Sequence, residues 1–236
     1  QARMGSSRLP RKVLKNLCGK PMIEHIYKRA RQSELIDEVV IATTISSNDN
    51  QLCDLLRKRH IKYFRGSEED VLSRYVDVAN ITKADVIVRV TGDCPLIDPY
   101  LISDIIQTFL NFEYDYMSPK SEHGLIRGLD TEVFTIEALN KANKFAQDRD
   151  SREHVTLYMY RNSDKFKIGL FPIPEHLKNF KIRLCVDEIE DFNLVNEIYK
   201  NLYKDGKIIN ITDVLDFLET NPDLLKINMN VIQKQV

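Results

Sequence analysis

Apolar positions along the chain switch repeatedly between helical and extended spacing. Residues 21–32 place Met22, Ile23, Ile26 and Ala30 three and four apart behind Pro21, which predicts a helix with proline in its first turn. Residues 38–43 form a short apolar run rich in β-branched side chains, the pattern of a buried strand. The alternation continues with a helix over 48–59 (Leu52, Leu55, Leu56), a short strand at 61–64 and a helix over 69–82 (Val71, Leu72, Tyr75, Val78). Residues 85–91 make the strongest strand signal, ending in the turn Gly92-Asp93-Cys94-Pro95. Leu101, Ile102, Ile105, Ile106 and Phe109 then mark another helix. Strand–helix alternation of this kind predicts an α/β fold built on a mostly parallel, doubly wound sheet.

The pattern loosens after residue 112. Short strands are expected near 114–117, 130–134 and 166–171, and helices near 136–146 and 152–161, among irregular loops. Residues 113–180 therefore read as a small additional lobe inserted into a core made by 1–112 and 181–220. A last core strand at 181–186 and helices over 189–203 and 212–218 complete it. The tail after Asn221 is weakly patterned. With no repeat, low-complexity segment or linker, residues 1–236 form one domain. The chain opens on Gln1 inside a loop of a kind that normally follows a buried strand in α/β folds. A short apolar strand is thus expected before Gln1, the alternative being a processed end.

Composition narrows the function classes. A chain of 236 residues can bury a core without disulfides. Its formal net charge of −1 argues against a generic nucleic-acid or membrane-surface binder. No apolar run reaches the roughly 18–20 residues of a membrane helix, and no signal peptide is visible. Cys18, Cys53, Cys94 and Cys185 lie far apart without metal-site spacing, which suits free thiols in a reducing cytoplasm.

Charge is nevertheless concentrated at one end. Through residue 31, Arg3, Arg8, Arg11, Lys12, Lys15, Lys20, Lys28, Arg29 and Arg31 face only Glu24. In the opening loop, Gly5, Ser6 and Ser7 can offer backbone N–H groups and hydroxyls to an anion, with Arg3, Arg8 and Lys12 around the same turn. No Gly-Lys-Ser/Thr follows the glycine, so the loop is not a Walker-type phosphate loop. A solvated basic terminus is the plain alternative, but the interleaved Gly, Ser and Pro favour a triphosphate.

Acidic residues at strand ends complement this loop. Asp93 follows an apolar strand, the edge where open α/β sheets bind ligands. It reads as a Mg²⁺ ligand, since magnesium takes few protein carboxylates and completes its shell with phosphate and water; capping the Asp-Cys-Pro turn is the competing role. Asp187, in Val186-Asp187-Glu188-Ile189-Glu190-Asp191, again follows an apolar strand. Glu188, Glu190 and Asp191 suit capping of the next helix or its surface. Between these motifs, Gly128-Leu129-Asp130-Thr131-Glu132 and Ser151-Arg152-Glu153-His154 suit a sugar-sized acceptor, with carboxylates for hydroxyls and Arg152 and His154 for an anion. For His154 alone a satisfied helix histidine is the better reading. Arg74 and Arg89 fit either salt bridges or a site.

Together these segments resemble the cytidylyltransferases that activate acidic or unusual sugars, most closely the spore-coat polysaccharide biosynthesis protein F-like branch, and more distantly 3-deoxy-manno-octulosonate and N-acylneuraminate cytidylyltransferases. The matching stretches are residues 1–14, Gly19-Lys20-Pro21-Met22, Ala42-Thr43-Thr44, residues 69–75, residues 89–96, residues 128–134, residues 152–156 and residues 186–192. The resemblance implies a Rossmann-like nucleotidyltransferase fold and a homodimer. It also implies triphosphate binding by Arg3, Ser6, Ser7, Arg8 and Lys12, and a base and ribose pocket lined by Ala42, Thr43, Thr91 and Gly92. Mg²⁺ would be held by Asp93 and Asp187, and an acceptor by Glu132, Glu153 and His154, with Arg74 added. The family loop usually has glycine where this chain has Arg11.

The expected activity is transfer of CMP from CTP to a sugar or sugar phosphate with release of pyrophosphate, with Arg8, Lys12 and Asp93 as the catalytic residues. A nucleotide-sugar-dependent glycosyltransferase of similar fold and a catalytically silent nucleotide-binding subunit are the alternatives. Pyrophosphate release separates them.

Overall fold

The computed structural model describes residues 1–119 and 123–233. A small hairpin, β1 (Asn16–Leu17) and β2 (Lys20–Pro21), leads into helix α1 (Met22–Ala30). Strand β3 (Ile41–Thr44), α2 (Asn50–Lys58), β4 (Tyr63–Gly66) and α3 (Val71–Thr82) follow, with β3 and β4 parallel. Strand β5 (Val86–Arg89) precedes α4 (Pro99–Leu110), and β6 (Tyr116–Ser118) precedes β7 (Glu132–Thr135). Helices α5 (Ile136–Phe145), α6 (Arg149–Glu153) and α7 (Leu157–Arg161), strand β8 (Ile168–Leu170), and helices α8 (Ile189–Leu202) and α9 (Ile211–Thr220) complete the order.

The α/β class is as expected, and the sheets are mixed. β5, β7, β6 and β8 form one four-stranded sheet in that order, with β7 antiparallel to both of its neighbours and β6 parallel to β8. Residues 113–180 thus supply three of its strands. Side chains alternate across it as a pleated strand demands. Met117 and Val133 join a large apolar cluster with α1, α4, α8 and α9, while Tyr116 and Phe134 face a second cluster with α3 and α5.

Two expected elements differ. Residues 181–186 do not form a strand; they touch the loop before β7 at an isolated Arg127–Arg183 bridge, with Leu184 N–H donating to Arg127 O at 2.8 Å. The helix expected over 152–161 is split into α6 and α7, because Val155 takes a left-handed conformation at φ 51°. Of the thiols, Cys53, Cys94 and Cys185 are buried and Cys18 is exposed. Among the described residues no helix is long and apolar enough to cross a membrane.

Candidate active site

Alternation along the first nine residues sets the opening loop. Ala2, Met4 and Leu9 are buried in the large core cluster, while Arg3, Gly5 and Ser7 between them are exposed. Asp49 fixes the turn: it accepts the Met4 N–H at 2.7 Å, the Thr43 hydroxyl at 3.0 Å, the Thr44 N–H at 3.1 Å and the Thr44 hydroxyl. The Thr43 side chain, expected in the ribose pocket, is therefore engaged inside the fold. Ser6 Oγ accepts the Leu9 N–H at 3.4 Å. Arg11 sits at φ 60°, which explains why glycine suits this position, and its guanidinium is tied to Gln51.

The loop delivers Lys12 inward. Only 9% exposed, its ammonium lies 3.0 Å from Asp93 Oδ2, 3.0 Å from Asp187 Oδ1 and 2.8 Å from the Val186 carbonyl. Burial pulls the Lys12 pKa down, but the two carboxylates outweigh it and leave it raised. Burial pushes Asp93 up, and the Lys12 charge with the Thr91 hydroxyl at 2.5 Å outweighs that, holding it below the usual carboxylate range. Arg8 reaches Asp187 at 3.0 Å and Glu188 at 3.5 Å.

Backbone and side-chain supports bring the two acids together. Val186 N–H donates to Asp93 O at 2.7 Å. Buried Arg29 of α1 donates to Ile97 O at 2.6 Å and to Ile209 O at 2.9 Å, and Tyr199 of α8 donates to Pro95 O at 2.6 Å, which pins the chain just past Asp93. Arg183 grips Asp187 at 2.6 Å and Asp191 at 3.0 Å. Asp191 in turn caps α8, accepting N–H groups from Asp187 at 2.9 Å and Glu188 at 3.1 Å.

The acceptor candidates lie apart from this cluster in the contacts they make. Glu132 on β7 pairs with Arg89 and accepts hydroxyls from Thr156 at 2.6 Å and Tyr116 at 2.7 Å. Burial raises its pKa, and Arg89 with those hydroxyls outweighs the effect and lowers it. Glu153 and His154 are half-buried at the end of α6. Arg152 is spent on Asp70 and the Asn143 carbonyl. Arg74 is 2% exposed, donates to Ser67 O at 2.6 Å, and has Arg3, Asp49 and Glu68 as charged neighbours. Gly92 packs on Gln1 and Ala2, and Ala42 accepts the Ala2 N–H.

Asp49, Arg183 and Asp191 are the parts that sequence reading missed or undervalued. Only Asp191 carried a signal, as an acid in the first turn of a helix.

Two acids held on one lysine beneath a basic Gly-Ser loop, in an α/β fold with helices on both faces of its sheet, fit a nucleotidyltransferase. The chain belongs to the cytidylyltransferase family, which it matches over residues 1–211. It is 42% identical over 234 residues to protein MJ1063 of Methanocaldococcus jannaschii, covering 99% of this chain and 94% of that one. It is 32% identical over 228 residues to the spore coat polysaccharide biosynthesis protein SpsF of Bacillus subtilis, covering 94% and 93%. A solved cytidylyltransferase from Leptospira borgpetersenii superposes with a TM-score of 0.88 at 28% identity, covering 99% and 96%.

Proposed function

We propose that this cytidylyltransferase moves CMP from CTP to a sugar or sugar phosphate and releases pyrophosphate, supplying an activated sugar for a surface polysaccharide or glycoconjugate. The observation that carries this reading is the Lys12 ammonium 3.0 Å from both Asp93 and Asp187. The likeness to the spore coat polysaccharide biosynthesis protein SpsF supports the product class. A homodimer in the cytoplasm belongs to the same reading.

Two carboxylates that already share a cation also suit Mg²⁺. Among the described residues no three His, Cys, Asp or Glu side chains come together as an all-protein cage, and Mg²⁺ bound with phosphate needs only one or two carboxylates. Asp93 and Asp187 would hold it. When bound, Mg²⁺ would offset charge building on the phosphate oxygens.

In this reading the protein works by positioning and charge neutralisation. Arg3, Gly5, Ser6, Ser7, Arg8 and Lys12 hold the triphosphate, with Lys12 and Arg8 turning from carboxylates to the leaving pyrophosphate. Ala42, Thr91, Gly92 and the backbone at Thr43 line the nucleoside. A hydroxyl or phosphate oxygen of the acceptor attacks the α-phosphorus, the bond to the β-phosphate oxygen breaks, and pyrophosphate departs. Glu132, Glu153, His154 and Arg74 are assigned to the acceptor side. Four nucleoside triphosphates assayed against a panel of sugars and sugar phosphates should give pyrophosphate with CTP and one acceptor class. Asp93→Asn and Lys12→Ala should each lower turnover on the order of 10²–10³-fold. Silence across the panel, or near-normal turnover in both variants, overturns the reading.

A further inference from the structure

Asp187 carries more cations than its single charge needs. Lys12 and Arg8 each lie 3.0 Å from its Oδ1, and Arg183 Nη2 donates to its Oδ2 at 2.6 Å. In the proposed reaction Lys12 and Arg8 leave for the triphosphate, which strips Asp187 of two partners out of three. Magnesium demands near-ideal octahedral geometry, so an acid that shifts when its partners depart is a poor ligand for it. What keeps Asp187 in place is then the Arg183 side.

That side is a closed polar network. Arg183 and Asp191 are both buried. Asp191 Oδ2 accepts the N–H groups of Asp187 and Glu188, and its Oδ1 accepts from Arg183 Nε at 3.0 Å and from Asn228 Nδ2 at 2.9 Å. Four donors take up the acceptor sites of the carboxylate and fix its plane. Asn228 Nδ2 also donates to Arg183 O at 3.0 Å, and Gln233 Oε1 accepts from Arg183 Nη1 at 2.5 Å. Arg183 and Asp191 cancel in charge, so together they orient Asp187 and leave its negative charge for a cation.

Asn228 and Gln233 belong to the weakly patterned tail after α9, beyond residues 1–211 over which the chain matches the family. The burial pattern of this tail is inverted. Met229 and Ile232 are 69% and 81% exposed, whereas Asn228 is 5% exposed. A segment docked for apolar burial alone would turn the methionine and isoleucine inward. This one turns an amide inward, and Leu224, Leu225 and Ile227 give it a footing on the large apolar cluster. We propose that residues 222–233 are a strap that positions the metal-binding acid. Asn228 and Gln233 hold Arg183 and Asp191, and these keep Asp187 in place when Lys12 and Arg8 swing away. The strap rests on the reading that Asp187 takes Mg²⁺, and its residues act through Asp187 as positioning residues.

CTP binding measured by calorimetry without acceptor, once in EDTA and once in saturating Mg²⁺, tests this in the absence of turnover. The unaltered chain should bind CTP more tightly with Mg²⁺. Asn228→Ala should leave the EDTA value unchanged and cut the gain from Mg²⁺ by about tenfold. Gln233→Ala, at an exposed position where folding is not at risk, should cut the gain in part. Thermal melting shows whether Asn228→Ala is folded; if it is not, Gln233→Ala decides alone. Asp187→Asn separates the two readings. No gain in the unaltered chain, or a gain that survives Asp187→Asn, overturns the metal reading and the strap with it. A gain lost in Asp187→Asn but kept in full by the strap variants overturns the strap alone. Equal weakening with and without Mg²⁺ in the strap variants, the mark of a merely structural role, overturns it too.

Discussion

Four donors converge on Asp49, two of them backbone N–H groups that shape the opening loop and β3. Asp49→Ala leaves them buried and unpaired, at roughly 1–3 kcal/mol for each group left unsatisfied. Urea denaturation should show a loss of at least about 2 kcal/mol, and the KM for CTP should rise because the loop is no longer held. Glu132 gives a pH signature. Its folded pKa lies below its ordinary value of 4.5, so its contribution to stability is complete above that value and is lost as pH falls through the lower folded one. Asp93 acts in the same direction below 3.8. Glu132→Gln should therefore flatten the acid limb of a stability–pH profile below about pH 4.5. At neutral pH it should cost about 3–5 kcal/mol, because Arg89 keeps a buried charge without its partner. Lys12, Asp93 and Asp187 were legible in the sequence because a basic Gly-Ser loop and two acids that follow apolar runs carry complementary charge. Asp49 was not, since an aspartate before a helix looks like an ordinary cap and its partners lie up to 45 residues away.

Elements were read well where both faces of the pattern were strong. Helices α1 to α5, α8 and α9 and strands β3 to β7 fall within a few residues of expectation. The failures share a cause, which is backbone placed by tertiary contacts rather than by its own pattern. Residues 181–186 have a strand's composition. Yet Gly128, at φ 101°, passes so near Leu184 and Cys185 that a Cβ there would lie 2.5 Å from the Cys185 nitrogen, and the segment is held by single bonds to Arg127 and Asp93. Hairpin β1–β2 is too short to have a period. Lys83, exposed at the end of α3 with φ 54°, occupies a left-handed cap where glycine is favoured. Lys83→Gly should raise stability by about 0.5–1 kcal/mol, read from the urea midpoint, with pyrophosphate release unchanged.

At the scale of the molecule, net charge near zero conceals a basic front end folded against acids from the far half of the chain. Sequence supplied both halves of that pairing but not the distance between them, which only packing of α1, α4 and α8 into one cluster sets. Lys12 and Asp187 are 175 positions apart. Contacts of such separation form late, after the intervening loops have closed. A chain lacking residues 187–236 has no Asp187 for Lys12 to pair with, and on the proposed function it should bind nucleotide more weakly than the full chain. In refolding from urea, nucleotide-binding capacity should return with the slowest kinetic phase, after most of the helical circular dichroism, so its recovery times the completion of the whole chain.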